Sequence, residues 1–408
     1  MEFKKTTLDN GLTIIGEVNP AAQSSAVGFF TRTGSRDENA QINGVSHFLE
    51  HMMFKGTDKL SALEVNKAFD RLGAKFNAFT SEESTVYYAA VLPEYLQDVT
   101  DLWSQLMRPS LRDDDFEMEK NVIKEEIAMY KDMPQFDVVD KCRELHFGVH
   151  PCGHSVLGTN ESIDAMTAEQ MREYFARRYA PDNMVVSVCG NIDFDAVADL
   201  VAQKCGHWQP SNAGREPTWF SGTGECRVEE NENLMRAHIC LMSPAVSMQD
   251  EKRFAASLLG TIIGDTTGSR YFWRLVDNAL AETAVVHLDS MDGVGVYYSY
   301  VQCDKANVNK VLDIIRDVLA EVHRDGVTQA ELDKARNKLL SSMAIRSEQP
   351  MGRLVGLGFN WMYLQEYRSL ADDVEAIRGV TLQDIDALLA EHSLSEFTQY
   401  VLTPPVAE

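Results

Sequence analysis

The chain of 408 residues lacks any apolar run near the roughly 20 residues that a membrane-spanning helix needs. It also lacks a Cys-x-x-Cys pair, which argues against a cysteine-based zinc site. Its seven cysteines, Cys142, Cys152, Cys189, Cys205, Cys226, Cys240 and Cys303, stand singly. An odd, dispersed set suits reduced thiols in the cytoplasm better than a disulfide framework. Basic residues are scarce: 38 Lys and Arg against 62 Asp and Glu leave a formal charge of −24. That balance argues against nucleic acid and against anionic membranes, and it suits solubility or a cationic partner. Low-complexity segments are lacking, and "MEFKKTTLDNGLTIIGEV" reads as a charged lead into a strand rather than a signal or transit peptide.

What remains is ordinary globular composition, 44% hydrophobic and 25% charged, at a length that implies two or more domains. Strand-like runs ("LTIIGEV", "SAVGFFTRTG", "STVYYAAVL") alternate with helical patterns. Ser61 with Glu64, and Thr167 with Gln170, spell capping boxes, and Gly73 is a helix stop. A long helix is expected from about Asp114 to Lys131, then a buried strand at "NMVVSVCGNID" and a helix at "DFDAVADLVAQKCG". "WQPSNAGREPTWFSGTGE", Trp208 to Glu225, breaks the periodicity and reads as a linker. The expected division is therefore 1–210, a linker at 211–224, and 225–408. The order then recurs as strand ("RAHICLMS"), helix ("EKRFAASLLGTIIG"), Gly-rich turn, strand ("VGVYYSYVQC"), and two helices that close the second half. Two related α+β halves of about 200 residues follow from this repeat.

Chemistry concentrates in "GVSHFLEHMMFKG", Gly44 to Gly56. On a helix from Val45 to Lys55, His47 and His51 lie one turn apart on one face, with Glu50 one residue before the second histidine. Phe48, Leu49, Met52, Met53 and Phe54 make the helix apolar nearly all round, so it should be buried. Three buried polar side chains cost several kcal/mol unless they are paired or hold a metal. The order H-x-x-E-H on such a helix is a zinc-peptidase signature, and zinc there needs a third ligand plus an open position. In "DDFEMEKNVIKEEIAMYK" one broad apolar face is expected to carry Phe116, Met118, Val122, Ile123, Ile127, Met129 and Tyr130. Glu119 and Glu126 fall in the middle of that face and Glu125 at its edge, and two buried carboxylates need a cation. Glu126 is the expected third ligand, with Glu119 behind it orienting a histidine.

With these residues the chain resembles the pitrilysin-type (inverzincin, M16) metallopeptidases, specifically the short chains related to the mitochondrial processing peptidase. The resemblance runs through "HFLEH" (His47 to His51), "GAKFNAFTSEESTVYY" (Gly73 to Tyr88), "EKNVIKEEI" (Glu119 to Ile127) and "HPCGHSVLGT" (His150 to Thr159). The separation of 75 positions from His51 to Glu126 matches the family's spacing. The resemblance implies two α/β-roll halves, each a mostly antiparallel sheet packed with helices, forming half of a clamshell. It implies zinc held by His47, His51 and Glu126, with Glu50 as general base. It further implies an edge strand, Phe76, Asn77, Ala78, Phe79 and Thr80, to which substrate adds as an extra strand. The activity implied is zinc-dependent endoproteolysis of peptides or unfolded polypeptide segments inside a closed dimeric chamber.

Members of the family carry an Arg and a Tyr in the second half that help grip substrate. Here the aligned positions hold Val276 and Thr283. Arg270, Arg274 and Tyr297 are the candidate substitutes, and a paralogous partner subunit is another source of the pair. The second half has no counterpart of the His-Glu-His cluster. A non-catalytic subunit, like the core proteins of respiratory complexes, is the competing reading, although all four motif residues are present. His146, His150 and His154 could suggest a second metal site, but Pro151 and Gly153 break any shared helical face. "GDTTGSR", Gly264 to Arg270, lacks the GK[ST] ending of a phosphate loop and reads as a turn.

Overall fold

The computed structural model of the chain describes residues 1–405, so the last three positions of the expected 225–408 region lie outside the described residues. The chain forms two compact units. The first comprises Met1–Ile127, His154–Glu216 and Ala344–Arg368; the second comprises Ala128–Gly153, Pro217–Met343 and Ser369–Glu408. Residues 209–225 carry neither helix nor strand, and one of the divisions falls within them.

In the first unit, strands β1 (Glu2–Thr7), β2 (Thr13–Val18), β3 (Ser25–Thr31), β4 (Lys75–Thr80), β5 (Thr85–Val91) and β6 (Met184–Gly190) form one sheet in the order β1-β2-β6-β3-β5-β4. Only β2 and β6 run parallel; the other neighbours are antiparallel. The side-chain period of two sends Ile14, Phe29 and Val186 to one face and Ile15, Phe30 and Val185 to the other. Both faces are apolar, so both need cover. The first face is covered by helices α1 (Val45–Met53), α2 (Ala62–Arg71), α3 (Leu96–Leu106) and the start of α4 (Asp113–Lys131). Phe48 of α1 stacks on Phe116 of α4 at 4.7 Å. The opposite face is covered by the helix Pro350–Leu364, through Leu354, Leu357, Trp361 and Met362. Gly358 allows the close approach, since a Cβ there would sit 2.4 Å from the Phe30 ring.

In the second unit, β7 (Cys226–Glu230), β8 (Ala237–Ala245), β9 (Thr283–Ser290), β10 (Gly295–Cys303) and β11 (Thr398–Thr403) are ordered β7-β11-β8-β10-β9, with only β7 and β11 parallel. Ile239 and Leu241 face one core, while Cys240 and Met242 face α5 (Pro134–Phe147) through Val138 and Cys142. The architecture is thus α+β, with two mostly antiparallel sheets packed with helices. Each sheet takes a covering helix from a distant part of the sequence.

The strands and helices read from periodicity are present, but the expectation that two helices close the second half is overturned. Helices Pro350–Leu364, Leu370–Gly379 and Leu382–Glu391 follow, and then β11. Helix α4 brings a second correction. Phe116, Glu119, Ile123 and Ile127 are buried, whereas Met118, Val122 and Met129 are 64%, 46% and 47% exposed. A helical projection defines an apolar sector, but only a narrow line of that sector meets the core here.

Candidate metal centre and catalytic residues

Helix α1 begins without a side-chain cap, because its N-cap residue, Gly44, has no side chain; its φ is left-handed at 92°. Glu38 caps it from outside: its carboxylate accepts the N–H of Gly44 at 2.7 Å, the N–H of Ser46 at 2.8 Å and the Asn43 amide at 3.0 Å. Burial pushes the Glu38 carboxyl up to about 7 despite these donors. Gly44 also lies against Leu157 and Gly158, where a Cβ would come within 2.7 Å of the Leu157 carbonyl oxygen. Backbone strain and that clash act together, so Gly44→Ala should destabilise the protein by roughly 1–3 kcal/mol, read as a lowered urea midpoint.

The helix ends at Met53, two residues short of the expected Lys55, so that Lys55 turns back to pair with Glu119. His47 is buried, and His51 and Glu50 are half-buried. The two imidazole rings lie 4.7 Å apart. Nε2 of His47 is 3.7 Å, and Nε2 of His51 3.3 Å, from one carboxylate oxygen of Glu126. One donor atom from each of the three lies within 4.8 Å of the others. On the far side of His51, Nδ1 meets Glu119 at 2.9 Å, and Glu119 is only 3% exposed.

The electrostatics follow from burial beside carboxylates. His47 is driven down to about 4 by desolvation and by its neighbour His51. Desolvation opposes charge on His51 as well, but hydrogen bonds to Glu119 and Glu126 hold it up to about 9. The bond to His51 in turn lowers Glu126. Burial raises the Glu50 carboxyl, and a hydrogen bond from the Thr80 hydroxyl, at 2.5 Å, pulls it back. A protonated His51 therefore bridges the two carboxylates, Glu119 through Nδ1 and Glu126 through Nε2, in the absence of a bound cation.

The donor set fits zinc. Tetrahedral zinc with bonds of 2.0–2.1 Å separates its ligand atoms by about 3.4 Å, close to the spacing of Glu126 from both imidazoles. Two nitrogens and one oxygen leave a fourth position open. The Nδ1 of His47 is buried without a hydrogen-bond partner, so the proton that binding a metal through Nε2 would place on Nδ1 has no acceptor there.

Strand β4 is the free edge of its sheet. Phe76 stacks on Phe69 at 3.9 Å, Ala78 is buried and Thr80 meets Glu50, all on the side of α1. Phe79 lies near Tyr88 and Phe359, and Asn77 is exposed. The Thr80–Glu50 contact, the Lys55–Glu119 pair and the Glu38 cap escaped the sequence reading. Glu50, Lys55, Thr80 and Glu119 stand inside the quoted motifs, whereas Glu38 lies in none of them.

In the second unit Val276 ends a five-residue π-helical turn and Thr283 begins β9. Arg270 is bound by both oxygens of Glu331, Arg274 by Glu321, and the Tyr297 hydroxyl donates to the Ala256 carbonyl. Among the described residues, His146, His150 and His154 belong to no group of convergent metal-ligating side chains. His146 meets Thr398, His150 meets Thr218, and His154 meets the Ser35 carbonyl. Residues Gly264 to Arg270 join a helix to the π-helical turn, with Lys338 on Asp265.

Residues 13–160 match the family model described as insulinase (peptidase family M16), and residues 165–339 match the one described as peptidase M16 inactive domain. The chain is 32% identical over 406 residues to the uncharacterized zinc protease YmxG of Bacillus subtilis, covering 98% of both. It is 28% identical over 402 residues to the mitochondrial-processing peptidase subunit beta of Saccharomyces cerevisiae, covering 94% of this chain and 87% of that one. The crystal structure of a protease from Helicobacter pylori shares the fold, with a TM-score of 0.91 at 22% identity over 99% of this chain and 100% of that one.

Proposed function

The chain belongs to peptidase family M16, and from that premise we propose that it is a zinc-dependent endopeptidase acting on peptides or unfolded polypeptide segments. The observation that carries this reading is the convergence of His47, His51 and Glu126, with Glu50 on the same helix but turned to Thr80. His47, His51 and Glu126 would hold the ion. Zinc, when bound, supplies Lewis acidity that lowers the pKa of a water toward about 7 and polarises a carbonyl.

The protein's own groups do the rest. Glu119 holds the Nδ1 proton of His51, leaving Nε2 free to donate its lone pair, and Lys55 keeps Glu119 ionised. Glu50, whose carboxyl burial has raised, takes a proton from the attacking water and delivers it to the leaving amine nitrogen. The free edge of β4, Phe76 to Thr80, pairs with the substrate main chain as an added strand. Such pairing selects extended, unfolded segments with little demand on sequence.

A partner belongs to the same reading. A second copy would complete a closed chamber, or a paralogous subunit would supply the Arg and Tyr absent at Val276 and Thr283. The relation to a protein named as a subunit supports the mixed assembly. A non-catalytic structural subunit is the weaker reading, since it leaves the convergent donors without a purpose. Cys226 is exposed and the other six cysteines are buried, with no disulfide among the described residues, which suits the reducing cytoplasm. Among the described residues no helix is long and apolar enough to cross a membrane.

Incubation of the purified protein with an unstructured peptide tests the assignment. Cleavage seen by mass spectrometry should stop on chelation and return with zinc. Hydrolysis that starts only when a co-purifying paralogue is added assigns activity to the mixed assembly. A protein that binds no zinc and cuts nothing in either form overturns the proposal.

A further inference from the structure

Thr80 is the last residue of β4, paired in register with Thr85, and its hydroxyl donates to Glu50 at 2.5 Å. No comparable bond to Glu50 comes from its own helix among the described hydrogen bonds. The turn behind Thr80 is unusually well held. The Ser81 N–H donates to the Ser84 carbonyl at 2.8 Å, and the two hydroxyls meet at 2.9 Å. Glu83 is buried against Arg36 at 2.5 Å and accepts the Tyr363 hydroxyl at 2.8 Å. Arg215 donates to the Glu83 carbonyl at 2.7 Å. Gly34 packs so closely that a Cβ there would lie 2.1 Å from the Ser81 carbonyl oxygen. Ion pairs, hydroxyls and backbone bonds thus immobilise the end of β4, and the β-branched Thr80 side chain has little rotamer freedom left to lose.

We propose that Thr80 is a positioning residue, whose hydroxyl holds the Glu50 carboxylate at the side of the three convergent donors and so ties the proton-transfer group to the edge strand. This rests on the endopeptidase reading and deepens it. Residues 76–80 were expected to meet substrate, and register separates their tasks. Thr80 points its side chain at Glu50 on the α1 side, while its backbone lies at the rim of the sheet. Substrate pairing along β4 would then stiffen the same strand that orients Glu50. A carboxylate displaced by about 1 Å from its productive place costs up to about 100-fold in rate.

Thr80→Val removes the hydroxyl while keeping shape; Thr80→Ser keeps the hydroxyl and loses a methyl. In Thr80→Val kcat should fall about 10–100-fold with KM and zinc content unchanged, and a crystal structure of its metal-free form should show the Glu50 carboxylate turned away. Thr80→Ser should recover most of kcat and restore the Glu50 orientation. Wild-type kcat in Thr80→Val, equal loss in both variants, a change confined to KM, or an unmoved Glu50 would each overturn the role. Glu50→Gln measured alongside separates the levels. If it too retains full activity, the endopeptidase mechanism itself fails; if it is inactive while Thr80→Val is normal, only the role of Thr80 fails.

Discussion

Glu50→Gln should retain zinc yet hydrolyse an unstructured peptide about 10²–10⁴-fold more slowly than the wild type. The substitution is nearly isosteric and leaves His47, His51 and Glu126 in place, so metal content measured by elemental analysis should not change. The amide oxygen can still accept from the Thr80 hydroxyl, which preserves the local packing. What disappears is the capacity to take a proton at neutral pH. Because burial has already raised the Glu50 carboxyl, its basicity lies closer to the working pH than that of an exposed glutamate. Single-turnover rates would separate this loss from slow product release. Wild-type turnover in the variant would remove Glu50 from the chemistry.

Glu126→Gln should strike the metal rather than the proton. Zinc that binds only the folded protein stabilises it by about 4.1 kcal/mol at a free concentration of 1,000 Kd. Glu119→Gln, which leaves the three donors in place but frees the back of His51, should weaken zinc about 10–100-fold. Removing the carboxylate that faces both imidazoles should exceed that range, so at the same zinc concentration more than about 2.7 kcal/mol of the stabilisation vanishes. Thermal denaturation with and without zinc reads the difference directly. An undiminished zinc shift in Glu126→Gln would mean that the ion sits elsewhere.

How much of this could be read from the chain varies by element. The central strands were plain because β3 and β6 are buried along their whole length and read as continuous apolar runs. The capping boxes at Ser61 and Thr167 form as their spacing indicates. Helix α5 and the helix Pro350–Leu364 went unread. Each leaves its own stretch of sequence to cover a distant sheet, and nothing local to either identifies the face it meets. The exposure of Met118, Val122 and Met129 has the same origin, since a side chain's polarity does not say whether a neighbour arrives to bury it.

The amino-acid order by itself determined the i, i+4 histidines, the adjacent glutamate and the two carboxylates on one side of α4, Glu119 buried and Glu126 half-buried, because helical periodicity is a short-range property. The sequence set Glu119 behind a histidine, but only the tertiary structure decided that this is His51, across 68 residues, and that Thr80 reaches Glu50 across 30. Those contacts depend on how sheet edge and helices pack. A hydroxyl or a lysine carries no mark in the sequence of the partner that packing will bring to it.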